Sequence, residues 1–199
     1  MSVTSHYFDG LFQNSDDPWA FRQRWYERRK RAMTLAALPR ERYTAIFEPG
    51  CANGELSVEL AGRCEHLVCC DTSRRAVNLA RKRLASLSHV DVLHASLPQQ
   101  WPAGQFDLIV FSELGYYLDR QDLHRWIDRA LASLTPSGQL LACHWRPAID
   151  GCPLNARQVH GILAERLQMH RLLTHREDDF LMDLWSHDAT SVAALEKLG

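Results

Sequence analysis

A chain of 199 residues, 46% of them hydrophobic, carries enough apolar material for one sizeable core and little room for a second domain. Its formal net charge of -1, with 24% charged residues, excludes the broad electrostatic attraction to nucleic acid or membrane surfaces that a strongly basic chain exerts. The N-terminus lacks the charged-then-apolar order of a secretory leader, and no apolar run nears the roughly 20 residues of a spanning helix, so no membrane partner is expected.

Residues 1–17 are polar and turn-rich. Asp17-Pro18 then has the form of a helix start, an N-cap followed by proline in the first turn. A helix is expected over residues 19–38, ending near Pro39. Between Arg22 and Arg42 it has eight basic residues against Glu27 and Glu41, the pattern of a solvated face. Its aromatics, Trp19, Phe21, Trp25 and Tyr26, must cover either the domain's own core or a ligand.

Beyond Pro39, short apolar runs alternate with helical segments. Strands are expected over 43–48, 66–70, 90–95, 106–112 and 139–145. Helices are expected over 54–62, 73–87, 122–134 and about 154–168. Thr135-Pro136-Ser137-Gly138 is a break before the fifth strand. The run from Met169 to Asp188 divides into two strands joined by a charged turn at Arg176–Asp179. Strands alternating with helices give an α/β fold: a seven-stranded, mostly parallel sheet with helices on both faces and a C-terminal antiparallel hairpin strand.

The six cysteines, Cys51, Cys64, Cys69, Cys70, Cys143 and Cys152, form no C-x-x-C pair, and no H-E-x-x-H spacing is present. They are expected to be reduced, in a cytoplasmic protein without a bound metal.

The turn Glu48-Pro49-Gly50-Cys51-Ala52-Asn53-Gly54 follows the first strand. Glycines there let backbone amides approach a ligand. A carboxylate two residues before the first glycine would repel a pyrophosphate but suits an ammonium group. S-adenosylmethionine carries an ammonium and a sulfonium and no phosphate. Ala52 stands where a middle glycine is common. Asp71 ends the second strand, 17 residues after Gly54, where a carboxylate can take both ribose hydroxyls; it can equally cap the next helix. In an open parallel sheet the ligand lies beyond the carboxyl ends of the strands. That puts Ser112 and Glu113, the loop residues Tyr116 and Tyr117, and then His144, Trp145 and Arg146 at the reacting end.

EPGCANG, CCDTS, HASLP, FDLIVFSELGYYL and LTPSG together resemble the class I methyltransferases. YFDGLFQNSDDPW, WYERRK, SELGYYL and HWR are similar to the nodulation protein S (NodS-like) branch, over about residues 7–187. The resemblance implies a single Rossmann-like methyltransferase domain over 1–199. Residues 1–39 would be its helical lid segment and 40–187 its core. It implies S-adenosyl-L-methionine as cofactor, with Glu48, Gly50, Cys51 and Gly54 on the methionine side, Asp71 and Thr72 at the ribose, Ser96 and Leu97 at the adenine and Ser112 under the sulfonium. Trp19, Tyr26 and Arg29 would form the lid, with Arg29 facing the methionine carboxylate.

That branch includes enzymes that N-methylate the de-N-acetylated terminal glucosamine of a chitin oligosaccharide. The resemblance therefore implies an oligosaccharide or small-molecule amine acceptor, no nucleic-acid partner, and a monomer or dimer. An attacking amine must be unprotonated, and Glu113 or His144 is placed to serve as base. Each has a plainer alternative, a helix-start carboxylate and a hydrogen-bonded strand-end histidine. Tyr116, Tyr117, Trp145 and Arg146 would line the acceptor. Three competing functions are weighed against this one: methylation of an unrelated acceptor on O or N, a nicotinamide-dependent oxidoreductase, and a non-catalytic cofactor-binding module. Glu48 and the absence of a Tyr-x-x-x-Lys pair speak against the oxidoreductase.

Overall fold

Successive residues of the inner strands point to opposite faces, and both faces are apolar. In the computed structural model, which describes residues 1–197, these strands are β1 (Tyr43–Pro49), β2 (Cys64–Asp71), β4 (Phe106–Ser112) and β5 (Leu134–Trp145). Phe47, Ile109, Phe111, Leu140 and Ala142 join one core cluster, while Ile46, Leu108, Val110, Leu141 and Cys143 join the other. A strand buried on both faces needs a helix layer on each, the condition of a parallel sheet. On the first face lie α5 (Arg120–Ser133), through Trp126 and Ile127, and α6 (Ala156–Arg166), through Val159 and Ile162. On the second lie α2 (Trp25–Ala36), α3 (Glu55–Ala61) and α4 (Arg74–Leu84).

The remaining strands are β3 (Val90–His94), β6 (His170–Arg176) and β7 (Phe180–Ser186). Strand order is β3-β2-β1-β4-β5-β7-β6. Among the described residues only the pairings of β7, with β5 and with β6, are antiparallel. The order reverses between β1 and β4, which opens the crevice where such sheets bind ligands. Among the described residues no helix is long and apolar enough to cross a membrane.

Residues 1–17 contain a helix, α1 (Ser5–Asn14), with Phe12 buried. Its anchors are tertiary: Ser73 Oγ donates to Asp9 Oδ1 (2.7 Å), and the Val3 amide donates to the Tyr117 carbonyl (2.8 Å). Two sequence expectations need correction. The second helix begins at Trp25 rather than at residue 19. Asp17 does cap a turn, accepting from the amides of Phe21 and Arg22, but Ala20 adopts φ 57° and Arg24 is extended, so the turn stops there. Finally, Thr135–Gly138 does not precede β5 but lies within it. Phe106 pairs with Leu134 and Leu108 already with Gln139, so the turn residues loop out as a bulge.

Candidate active site

The glycine-rich turn after β1 is hooked to the end of β2. The amides of Gly50 and Cys51 both donate to the Cys70 carbonyl (2.8 and 2.9 Å). Gly50 (φ 75°), Ala52 (φ 50°) and Gly54 (φ 80°) are left-handed. Ala52 therefore holds, at a cost of about 1 kcal/mol, a conformation that glycine adopts freely. Asp71 braces the turn: its Oδ2 accepts from the Ala52 amide (3.0 Å) and its Oδ1 from the Ser73 amide (2.8 Å). Each oxygen keeps a lone pair for a further donor. Thr72 Oγ1 and Ser96 Oγ meet at 2.7 Å across the β2 and β3 ends.

Above this turn a cavity of about 550 Å³ opens at the carboxyl ends of the strands. The turn and β2 supply Gly50, Asp71 and Thr72, and the loop after β3 supplies Ser96 and Leu97. Glu113, Tyr116, Tyr117 and Trp145 close the far side, and Trp19 and Tyr26 come from the N-terminal segment. That segment is tied over the turn by Asn53 Nδ2, which donates to the Asp16 carbonyl (3.0 Å) and Asp17 Oδ1 (3.2 Å). A smaller adjoining recess reaches Glu48, Cys51 and Ser112.

Glu48 is 3% exposed, and its Oε2 has no hydrogen-bond partner in the protein. Burial pushes its carboxyl up to about 8. A buried carboxylate oxygen left without a donor, facing a recess, fits a ligand that brings an ammonium group.

Three charged residues of α2 that the sequence did not single out stand at this recess. Lys30 Nζ, buried, lies 3.1 Å from Glu27 Oε2 and 2.8 Å from Glu113 Oε1. It also sits 4.9 Å from the centre of the Tyr26 ring. Burial opposes its charge, but Glu113 and Glu27 outweigh that and hold the ammonium protonated. Arg31 lines the recess too, with Nε on Glu59 Oε1 (3.1 Å) and Nη1 on the Phe21 carbonyl (2.9 Å). Spacing offered a signal. Tyr26–Lys30 and Glu27–Arg31 are i,i+4 pairs, so four side chains share one flank of the helix. Their burial follows from how α2 lies on the sheet.

Glu113 adopts φ 55°, and its amide still donates to the Cys143 carbonyl (2.9 Å). This turns its side chain back over the strand ends. Its Oε2 accepts from the Tyr116 hydroxyl and from the Trp145 amide (3.1 Å). Burial, and then the Glu113 charge, push Tyr116 well up, so it stays a phenol and a donor. With Lys30 on its other oxygen, Glu113 has three donors fixing it at the cavity wall.

Four expected site residues lie elsewhere. His144 is fully buried behind the wall. Its Nε2 accepts from the Gly115 amide (3.0 Å) and its Nδ1 meets His160 Nε2 (3.0 Å), so no nitrogen faces the cavity. Arg29 Nη1 pairs with Glu177 Oε1 (2.7 Å) on the β6–β7 turn, and Arg146 donates to the Glu177 carbonyl of the same turn. Both arginines anchor the hairpin. Gly54 lines neither space; a Cβ there would stand 3.3 Å from the Ala80 backbone, so it serves the close packing of α4.

Strand order, the ligand crevice and the orphaned acid beside a glycine-rich turn define a class I S-adenosylmethionine-dependent methyltransferase. The family model of nodulation protein S matches residues 11–170, and the chain belongs to that family. It is 30% identical over 171 residues to nodulation protein S of Rhizobium tropici, covering 83% of this chain and 72% of the relative. Against nodulation protein S of Sinorhizobium fredii it is 30% identical over 129 residues, covering 64% of this chain and 60% of that one. The crystal structure of a putative methyltransferase from Pseudomonas syringae is 73% identical, with a TM-score of 0.75 over 82% of this chain and 99% of that chain. That of N-methyltransferase NodS from Bradyrhizobium japonicum WM9 in complex with S-adenosyl-L-homocysteine is 26% identical, with a TM-score of 0.82 over 92% of this chain and 98% of that chain.

Proposed function

We propose that the protein methylates an amino nitrogen with S-adenosylmethionine, and that the acceptor is the free amine of a de-N-acetylated glucosamine unit or a related small amine. One observation carries this: two carboxylates, Glu27 and Glu113, share a single ammonium, Lys30, at the wall of an aromatic-lined cavity. The surplus negative charge favours a cation there, which an amine acceptor supplies and a neutral hydroxyl does not.

Bound cofactor supplies an activated methyl on a sulfonium. Glu48 would hold its amino end beside Gly50 and Cys51, and Arg31 its carboxylate. Asp71 would take the ribose hydroxyls, with Thr72, Ser96 and Leu97 around the base. Ser112, in the same recess as Glu48, would lie beneath the sulfonium. Trp19 and Tyr26 exclude water from above. Glu113 receives the proton from the acceptor's ammonium on Oε1, the oxygen that keeps a lone pair beside Lys30, as the nitrogen's lone pair is freed to attack. Tyr116 and the Trp145 amide, both on Oε2, keep that carboxylate aimed, and Tyr117 and Trp145 offer flat faces to the acceptor. The N-methyltransferase name and bound product of the Bradyrhizobium relative support the same chemistry.

The test is release of S-adenosylhomocysteine from the purified protein with de-N-acetylated chitin oligomers, their N-acetylated counterparts and simple amines. Turnover with free amines alone is the expected result. Methylation of hydroxyls in the N-acetylated compounds would overturn the assignment of nitrogen.

A further inference from the structure

Behind the cavity wall runs a chain of polar groups that methyl transfer as described above does not use. Asp183 on β7, His160 on α6 and His144 at the end of β5 are 2%, 4% and 0% exposed. His160 Nδ1 lies 2.6 Å from Asp183 Oδ2, and His160 Nε2 lies 3.0 Å from His144 Nδ1. His144 Nε2 accepts from the Gly115 amide at 3.0 Å. The far end is held as well. Thr174 Oγ1 donates to Asp183 Oδ1 (2.5 Å), and Arg171 reaches to 3.8 Å of the same oxygen.

Only one arrangement of protons satisfies every link. The Gly115 amide can only donate, so His144 Nε2 is bare and Nδ1 carries the hydrogen. That hydrogen goes to His160 Nε2, which leaves the His160 hydrogen on Nδ1, pointing at a carboxylate that can only accept. Asp183 therefore sets a direction that passes through two rings to one backbone amide. Burying three polar side chains costs desolvation that apolar residues of the same size would avoid. Gly115 is where the chain ends, and no other residue fits there. A Cβ would stand 2.6 Å from Val159 Cγ1 and 2.8 Å from His144 Nε2. Gly115 opens the short 3-10 turn Gly115–Tyr117, two residues after Glu113 and directly before Tyr116, whose hydroxyl holds Glu113.

We propose that Asp183, His160 and His144 form a positioning relay, which fixes the Gly115–Tyr117 turn and through it the aim of Glu113 and Tyr116 at the acceptor. This rests on the assignment of Glu113 to the acceptor side of the cavity. The three residues touch neither space lined by the candidate site, so they act only through the turn.

Nitrogen NMR of the histidine rings in the wild-type protein reads the direction of the chain without any acceptor. Both rings are expected as the Nδ1–H tautomer, with the Gly115 amide shifted as a donor to imidazole. His160→Phe keeps a ring in the core but cuts the relay; kcat should fall at least tenfold while the Kd of S-adenosylhomocysteine stays within twofold. His144→Gln, which retains an acceptor for the Gly115 amide, should keep more of kcat than His144→Phe. That comparison stands in if His160→Phe is not recovered folded. His144 found as the Nε2–H tautomer, or folded variants with wild-type kcat, would overturn the relay. Full activity in Glu113→Gln would instead remove Glu113 from the reaction, leaving the tautomer and the Gly115 shift to show whether the relay still sets the turn.

Discussion

Lys30 Nζ and Glu113 Oε1 stand 2.8 Å apart, although 83 residues separate them in the chain. The contact joins α2 to the end of β4, so the covering segment and the cavity wall are one electrostatic unit. Removing the shared cation leaves two carboxylates, Glu27 and Glu113, without their buried partner. Lys30→Met should lower stability by about 3 to 5 kcal/mol, measured by urea denaturation. Adding Glu27→Gln should return part of that loss, since one of the two uncompensated acids is then neutral.

Glu113→Gln keeps the shape of the side chain and removes its ability to take a proton. We expect kcat to fall by about 10² or more, the usual scale of a positioned base. Cofactor affinity, set on the other side of the recess, should change less than threefold. Isothermal titration with S-adenosylhomocysteine alongside steady-state kinetics separates the two effects.

Glu48 should make cofactor binding pH-dependent. Burial raises its carboxyl from an ordinary 4.5 to about 8, so the folded protein without cofactor binds a proton there that the unfolded chain has already lost. Stability from this group therefore falls as pH rises from 4.5 to 8. An ammonium ligand needs the carboxylate, so binding must expel that proton at neutral pH. Affinity for S-adenosylhomocysteine should rise up to about tenfold between pH 6.5 and 7.5, above the range of Asp71, which burial lifts to about 6. The dependence should vanish in Glu48→Gln, which should bind more weakly throughout. The same variant should denature at higher temperature than wild type at pH 8 and not at pH 4.5.

Two neighbouring arginines make a paired test of the carboxylate site. Arg31 lines the recess with Glu48, whereas Arg29 is spent on Glu177. Arg31→Met should weaken cofactor binding at least tenfold, and Arg29→Met should leave it within twofold. Loss of affinity in Arg29→Met with none in Arg31→Met would reverse the assignment.

Gly115→Ala should destabilise the protein by about 1 to 3 kcal/mol, the range for an added methyl in a filled core. The new Cβ would overlap Val159 Cγ1 and the His144 ring. Val159→Ala, combined with it, should recover part of the loss in thermal denaturation by giving the methyl room.

The sequence by itself determined the order of the strands along the chain and the turn and strand-end residues that line the cavity and its recess. Short apolar runs alternating with longer helical segments specify strands buried on both faces, because length separates an uninterrupted apolar run from a helix while the segments between carry the 3.6 period. The placement of Glu48, Gly50 and Asp71 was readable because it depends on neighbours in the chain: a strand end, a tight turn, a following helix. The tertiary structure alone decided which distant side chains meet. Helical spacing groups Lys30 and Arg31 with Tyr26 and Glu27, but nothing local says which flank of the helix meets the sheet, or whether a strand-end histidine faces a cavity or a helix. The lie of α2 on the sheet turns Lys30 and Arg31 inward and leaves Arg29 to the hairpin. The packing of α6 against β5 puts His160 behind His144 and takes that ring out of the cavity. Helix α1 escaped notice for the same reason, since its ten residues are too few to be stable alone and are held by Ser73 and Tyr117 from the far side of the fold.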